Sequence, residues 1–151
     1  MENKTPLNES NTNREETNLD TVTLPKKSLK PPKIEDKPFS DFITNYFIPG
    51  LKKSITEKDV NIIEIKLIEG ERPVVGGKCW MVFGELAEGR KFWLCFNKEI
   101  ITSDKTILLA ESNSDPSIVE SFLIDEKKTT LPLLISRVLQ RLNGQKWIGV
   151  N

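Results

Sequence analysis

The stretch KCWMVFGELAEGRKFWLCF, Lys78 to Phe96, holds two of the chain's three tryptophans and both of its cysteines. It reads as two β-strands joined at Ala87-Glu88-Gly89. Gly89 supplies a positive φ without steric cost, and Arg90 and Lys91 return the chain to solvent. Side chains alternate across a strand. Cys79, Met81 and Phe83 therefore share one face of the first strand, and Trp80 and Val82 the other. In the second strand Trp93 and Cys95 oppose Phe92, Leu94 and Phe96. Neither strand has a polar face, whereas a hairpin at the solvated surface of an antiparallel sheet alternates apolar with polar. The hairpin is thus expected at the centre of its sheet with most of both faces covered. Its aromatic residues read first as core; the sharper reading makes one face a docking surface.

Working outward, Val60 to Ile68 predicts a strand. Ile63, Ile65 and Leu67 point one way and Glu64 and Lys66 the other, which suits a sheet edge. Glu69 to Gly77 is a hairpin loop; Gly76-Gly77-Lys78 has the start of a phosphate loop without its remaining spacing. Lys105 to Ala110 predicts a fourth strand. Ser112 to Pro116 is a loop. The apolar run Ile118, Val119, Phe122, Leu123 and Ile124 has no period that chooses between an extended covering strand and a short helix.

Two stretches carry helical spacing. Phe39, Phe42, Ile43, Tyr46 and Phe47 lie on one face after a start at Asp36 to Pro38. Pro49-Gly50 is expected to kink or divide this helix before Leu51 and Ile55 resume it as far as Thr56. Leu131, Leu134, Ile135, Val138, Leu139 and Leu142 form the second stripe, with Pro132 in its first turn and Asn143-Gly144 as the expected left-handed C-cap. Trp147 and Ile148 then fold back onto the core. The fold class expected is α+β: a mostly antiparallel four-stranded sheet with an N-terminal and a C-terminal helix. The helices either cover opposite faces or share one, leaving the other to another segment or a subunit.

Composition divides the 151 residues. Residues 1–37 contain no aromatic side chain and few apolar ones, so they cannot bury enough surface to offset their ordering entropy. They are expected to be a disordered tail, acidic up to about residue 24 and then basic through Lys26, Lys27, Lys30, Lys33 and Lys37. Leu24 to Lys33 reads as an extended, partly polyproline linker; its functional reading is weak contact with anionic lipid or an acidic protein. Residues 38–151 form a single domain. The zero net charge argues against nucleic-acid binding through charge. Without an apolar leader or a run of about 18 apolar residues, the chain is expected to be soluble and cytoplasmic. Two cysteines suit a reducing compartment better than a disulfide scaffold.

There is no histidine, which removes the commonest general base and metal ligand and every histidine-dependent triad. No catalytic, cofactor-binding or metal-binding residue is assigned. The carboxylates at Glu69/Glu71, Glu85/Glu88 and Asp125/Glu126 occupy no apolar strand position that would raise their pKa. Cys79 and Cys95 fall on the same sheet face, opposite or diagonal across the hairpin. They are either a thiol switch or two small buried apolar side chains. Arg137, Arg141, Gln145, Lys146 and Trp147 are candidates for partner contact, because polar residues beside an aromatic anchor make effective interface centres; the same residues also read as a C-cap and a buried tryptophan.

Residues 38–151 resemble a cyanobacterial and plastid family of domains of unknown function. The match rests on Pro38-Phe39 with the aromatic helix after it, the hairpin around Trp80 and Phe92, Asp125-Glu126-Lys127-Lys128, and most specifically Arg141-Leu142-Asn143-Gly144-Gln145-Lys146-Trp147. The resemblance carries over no reaction and no catalytic residue. It implies a place near the photosynthetic apparatus, in assembly or maintenance of a thylakoid complex, with at most peripheral membrane contact. The expected function is a non-enzymatic accessory domain that binds a protein partner. The alternative is a carrier holding a small apolar ligand between sheet and helix.

Overall fold

Phe92 and Gly84 face each other across the central hairpin. A Cβ built on Gly84 would lie 2.2 Å from the Phe92 ring, so the ring occupies the space that any other residue at 84 would need. The computed structural model describes residues 33–124 and 128–148. The expected tail up to residue 32, its proline- and lysine-rich linker and the surface connection at Asp125-Glu126-Lys127 lie outside the described residues.

Among the described residues the sheet has five strands where four were expected. They are β1 (Ile62–Glu71), β2 (Lys78–Leu86), β3 (Lys91–Phe96), β4 (Lys105–Ala110) and β5 (Ile118–Phe122), all antiparallel and in sequence order. The additional strand is the run whose period was ambiguous. Among the described residues β5 pairs only with β4 and buries only Phe122 fully, so Glu120 and Ser121 stand in solvent and erase the alternation. The central hairpin sits in the interior of the sheet as expected, and β1 is an edge. Ile63 is a correction. The register shifts between Ile62 and Glu64, and this bulge turns Ile63 out to 62% exposure while Ile62, Ile65 and Leu67 face the core.

Helix α1 (Phe39–Phe42) passes through a π-helical turn (Ile43–Phe47) into α2 (Ile48–Thr56). The break expected at Pro49 takes the form of this turn. Ile48 N–H donates to Ile43 O, five residues back, just before the proline whose ring cannot tolerate ordinary helical bonding behind it. Gly50 marks the close approach of two helices: a Cβ there would lie 2.6 Å from Ile135 Cδ1 on α3 (Leu131–Gly144). Ahead of Pro38 the chain makes a 3-10 turn at Ile34–Asp36. Glu35 Oε2 accepts from Leu131 N at 2.8 Å and Thr130 Oγ1 from Leu133 N at 3.3 Å, so two residues 95 positions apart cap one helix.

Both helical stretches lie on one face of the sheet. Phe42, Phe47, Leu51 and Ile55 join Leu134, Val138 and Leu142 in a single cluster with Val82, Phe92, Leu94, Phe96, Ile107 and Leu109. Phe39 meets Phe96 and Trp80 edge-on, with ring centroids at 5.1 and 6.0 Å. The second cluster, on the opposite face, consists of strand residues alone: Cys79, Met81, Cys95 and Leu108, with Ile68 and Trp93 against it. None of the described helices is long and apolar enough to cross a membrane.

Gly84→Ala is expected to destabilise the domain by about 2 kcal/mol, because the displaced Phe92 ring is fully buried and cannot move aside. Urea denaturation followed by tryptophan fluorescence measures it; an unchanged midpoint means that the ring is not seated as described.

Candidate docking face and C-terminal cluster

The cross-strand register builds, row by row, the face that is helix-free among the described residues. Lys66, Phe83, Trp93, Leu108 and Val119 form one row across all five strands; Ile68, Met81, Cys95, Thr106 and Ser121 form the next. In the first row Phe83 and Trp93 are half-buried and stack at a tilt, with centroids 5.3 Å apart. Lys66 Nζ lies 5.8 Å from the Phe83 ring centre, and Val119 is 40% exposed. The second row is closed to solvent at Met81 and Cys95.

The difference between the rows comes from the β1–β2 loop. Arg72 Nε donates to Gly76 O at 3.1 Å, while its Nη1 reaches Thr106 Oγ1 on β4 at 3.4 Å. Spanning from the end of β1 to β4 carries the guanidinium over the intervening strands and their cysteines, on both of which its charge acts. The loop accommodates this path with left-handed φ at Val74, Gly76 and Gly77. A β-branched residue rarely adopts that conformation, and it leaves Val74 69% exposed.

Under this roof Cys79 and Cys95 come together. Cys95 pairs with Met81, so the two thiols are diagonal neighbours on one face, and both are free. Burial pushes both thiols up, and the hydrogen bond between them favours the protonated Cys95 and the ionised Cys79. Arg72 opposes the rise at each. Thiolate is the reactive form, so this environment makes them poor nucleophiles at neutral pH.

The candidate contact residues of the last helix lie on the helix-bearing side of the sheet. Arg141 grips Glu120 of β5 with two bonds of 2.7 and 2.8 Å and also donates to Gln145 Oε1 at 3.2 Å. The pairing holds the Glu120 carboxyl below the usual carboxylate range and raises Arg141. Arg137 lines the same shallow cleft, of about 240 Å³, as Arg141 and Glu120. Trp147 is 5% exposed; its Nε1 donates to Glu111 Oε2 at 2.9 Å, and Arg90 lies 5.9 Å over its ring while pairing with Glu111 at 3.2 Å. The structure thus joins Arg137, Arg141 and Gln145 along β5, whereas Trp147 is buried against Glu111 and Arg90 and Lys146 is exposed.

The C-cap lies further along than expected. Asn143 and Gly144 are still helical, and the left-handed residue is Lys146, φ 64°. Lys146 N–H bonds to Asn143 O at 2.8 Å and Trp147 N–H to Leu142 O at 3.0 Å, the paired bonds of a Schellman motif with its hydrophobic contact between Leu142 and Trp147. Glycine at 144 drew the sequence assignment because glycine is the usual left-handed residue. Glu111, Glu120 and Arg90 had no local signal: their meeting depends on register.

One buried cation was also not legible. Lys105, at the start of β4, is 7% exposed. Its Nζ donates to Ser103 O at 2.8 Å and lies 5.9 Å from the Phe96 ring centre. Burial lowers its pKa, against a smaller opposing effect of Asp104.

One family model, described as a protein of unknown function (DUF2996), matches residues 33–149 of the chain. No curated protein matches it.

Lys146→Gly is expected to stabilise the domain by up to about 1 kcal/mol, by removing the Cβ that disfavours left-handed backbone; thermal denaturation reads it, and a loss of stability would show that the Lys146 side chain supports the cap. Lys105→Met is expected to stabilise by about 1 kcal/mol near neutral pH. With the folded pKa below the ordinary 10.5, the unfolded chain holds the proton more tightly, so wild-type stability from this group rises as pH climbs toward 10.5. The advantage of Lys105→Met should shrink over that range; urea titrations at pH 7 and pH 10 compare them.

Proposed function

We propose that this chain, which belongs to the DUF2996 family of proteins of unknown function, is a non-enzymatic accessory domain that binds a protein partner through the helix-free face of its sheet. The observation that carries the reading is the row Phe83–Trp93–Val119. It is an aromatic pair and an aliphatic neighbour, half-buried or exposed, on a face whose cluster is built by strands alone. Half-covered aromatic side chains supply large contact area at low entropic cost, which is why they dominate interface energetics. The absence of histidine from the sequence supports the non-enzymatic part.

The space in which a carrier would hold an apolar ligand is filled. Phe42, Phe47, Phe92, Phe96, Ile107, Leu134 and Val138 meet there with no exposed surface, and even the gap above Gly84 is taken by a ring. That packing favours docking over carriage. The resemblance carried by Arg141 to Trp147 supplies the setting of the reading, assembly or maintenance of a thylakoid complex. In the fold these residues anchor the last helix, so the proposed contact moves from the C-terminal cluster to the sheet face.

The test is affinity capture from detergent-solubilised thylakoid membranes with the full chain and with Phe83→Ser and Trp93→Ser. The wild type is expected to recover a defined set of complex subunits, and each variant to lose about tenfold or more of that recovery while its circular dichroism stays native. Trp147→Ala is expected to lower thermal stability instead. Undiminished recovery by both face variants would refute the proposed surface.

A further inference from the structure

The loops at one end of the sheet carry apolar side chains that the fold leaves in water. Glu69, Trp80, Phe96, Lys105 and Phe122 form the last row that crosses all five strands. Beyond it lie the β1–β2 loop, the β3–β4 loop and the turn after β5. Among the described residues seven large apolar side chains are exposed. Four of them, Val74, Val75, Ile100 and Ile124, stand on these three segments, each more than half exposed. The first helix starts at this end too, with Phe39 packed on Trp80 and Phe96 of that row. Ile34, close ahead of it in the chain, is a fifth.

The fold holds these side chains outside. Ile101 is buried in the helix-side core while Ile100 beside it is not, and Leu123 packs against that core while Ile124 does not. None of the four outer residues belongs to either core cluster. Val74 and Leu123 both have left-handed backbone, with φ 67° and 53°. Side chains disfavour that conformation, and strain of this kind gathers at functional sites. The tips are spread across five strands, about 19 Å at the usual strand spacing. They stand on separate loops, an arrangement that suits a flat, yielding surface.

Charge points to the kind of surface. The exposed charges around the tips balance, Lys78, Lys98 and Lys128 against Glu71, Glu99 and Asp104. The excess lies ahead of Ile34 in the sequence: residues 21–33 hold Lys26, Lys27, Lys30 and Lys33 and no acidic residue. Lysines draw a chain to anionic headgroups, but stable peripheral binding takes an apolar signal as well. The sequence shows the first signal, and the loop tips supply the second.

We propose that this end of the sheet seats on an anionic lipid bilayer. Val74, Val75, Ile100 and Ile124 enter the headgroup boundary, and the lysines ahead of Ile34 face the headgroups. Seated by its end, the sheet stands with its strands steep to the surface, which leaves the Phe83–Trp93 row open to a protein partner. The inference does not depend on that docking reading.

The test is co-sedimentation of the full chain with vesicles of phosphatidylcholine, alone or mixed with phosphatidylglycerol. The wild type is expected to sediment with the mixed vesicles about tenfold more than with phosphatidylcholine alone. A triple variant with Val74→Ser, Val75→Ser and Ile124→Ser is expected to lose about tenfold of that binding. Its circular dichroism and thermal midpoint are expected to stay native, because the three side chains lie outside the core clusters. No sedimentation above a vesicle-free control overturns the proposal, as does equal binding to the neutral vesicles. Undiminished binding by the triple variant also overturns it, since the lysines would then be the sole contact. In capture from detergent-solubilised membranes the triple variant is expected to recover partner as the wild type does. A loss there makes the tips a protein contact and overturns the lipid reading, while Trp93→Ser reports on the docking face separately.

Discussion

The seating of Phe92 in the space above Gly84 is the contact on which the remaining geometry depends. Side chains alternate with a period of two, so a one-residue slip between β2 and β3 would exchange every core residue for one on the opposite face. In most half-buried sheets such a slip puts polar side chains inside and is strongly opposed. Here both strands are apolar on both faces, and hydrophobic pattern alone discriminates weakly between registers. A ring that fits only where its cross-strand partner has no side chain restores the discrimination. From that register follows the pairing of Cys95 with Met81, while the separate β3–β4 register, with Lys91 opposite Ala110, brings Arg90 to Glu111 next to Trp147.

The sheet is covered asymmetrically. Two helical stretches close one face, with Gly50 permitting the approach of Ile135. The other face is apolar at its centre and has only strand residues in its cluster. Part of it is closed cheaply, by one arginine whose fork reaches from the end of β1 to Thr106 on β4. The thiols under that arginine are shielded, while the row of Phe83 and Trp93 beyond it keeps half-exposed aromatic surface. The contrast within a single face is what separates a packing role for the cysteines from the contact role proposed for the aromatics.

Much of this was legible in the sequence. Phe39 to Phe47 and Leu131 to Leu142 had helical spacing, the central hairpin had its turn at Ala87 to Gly89, and the α+β class with helices at both ends followed from them. Amphipathic period and turn chemistry are local properties, and local sequence carries them. β5 was missed as a certain strand because an edge with one buried residue need not alternate, and Ile63 was misplaced because a bulge shifts phase without any compositional mark.

The site was less legible than the fold. That Cys79 and Cys95 share a face follows from counting, but Arg72 above them does not, since its path depends on left-handed backbone at Val74 that no β-branched residue advertises. Trp147 beside Arg141 and Lys146 looked like an interface anchor, and the same run is equally what a Schellman motif folding an aromatic ring onto Leu142 requires. The sequence by itself determined the two helical stripes and the apolar hairpin with its turn. Only the tertiary structure decided which sheet face the helices took, and with it which apolar residues stay half exposed. The reason is physical: periodicity states that a side chain is buried on one face or another, whereas the choice of face depends on register and on residues far apart in the chain.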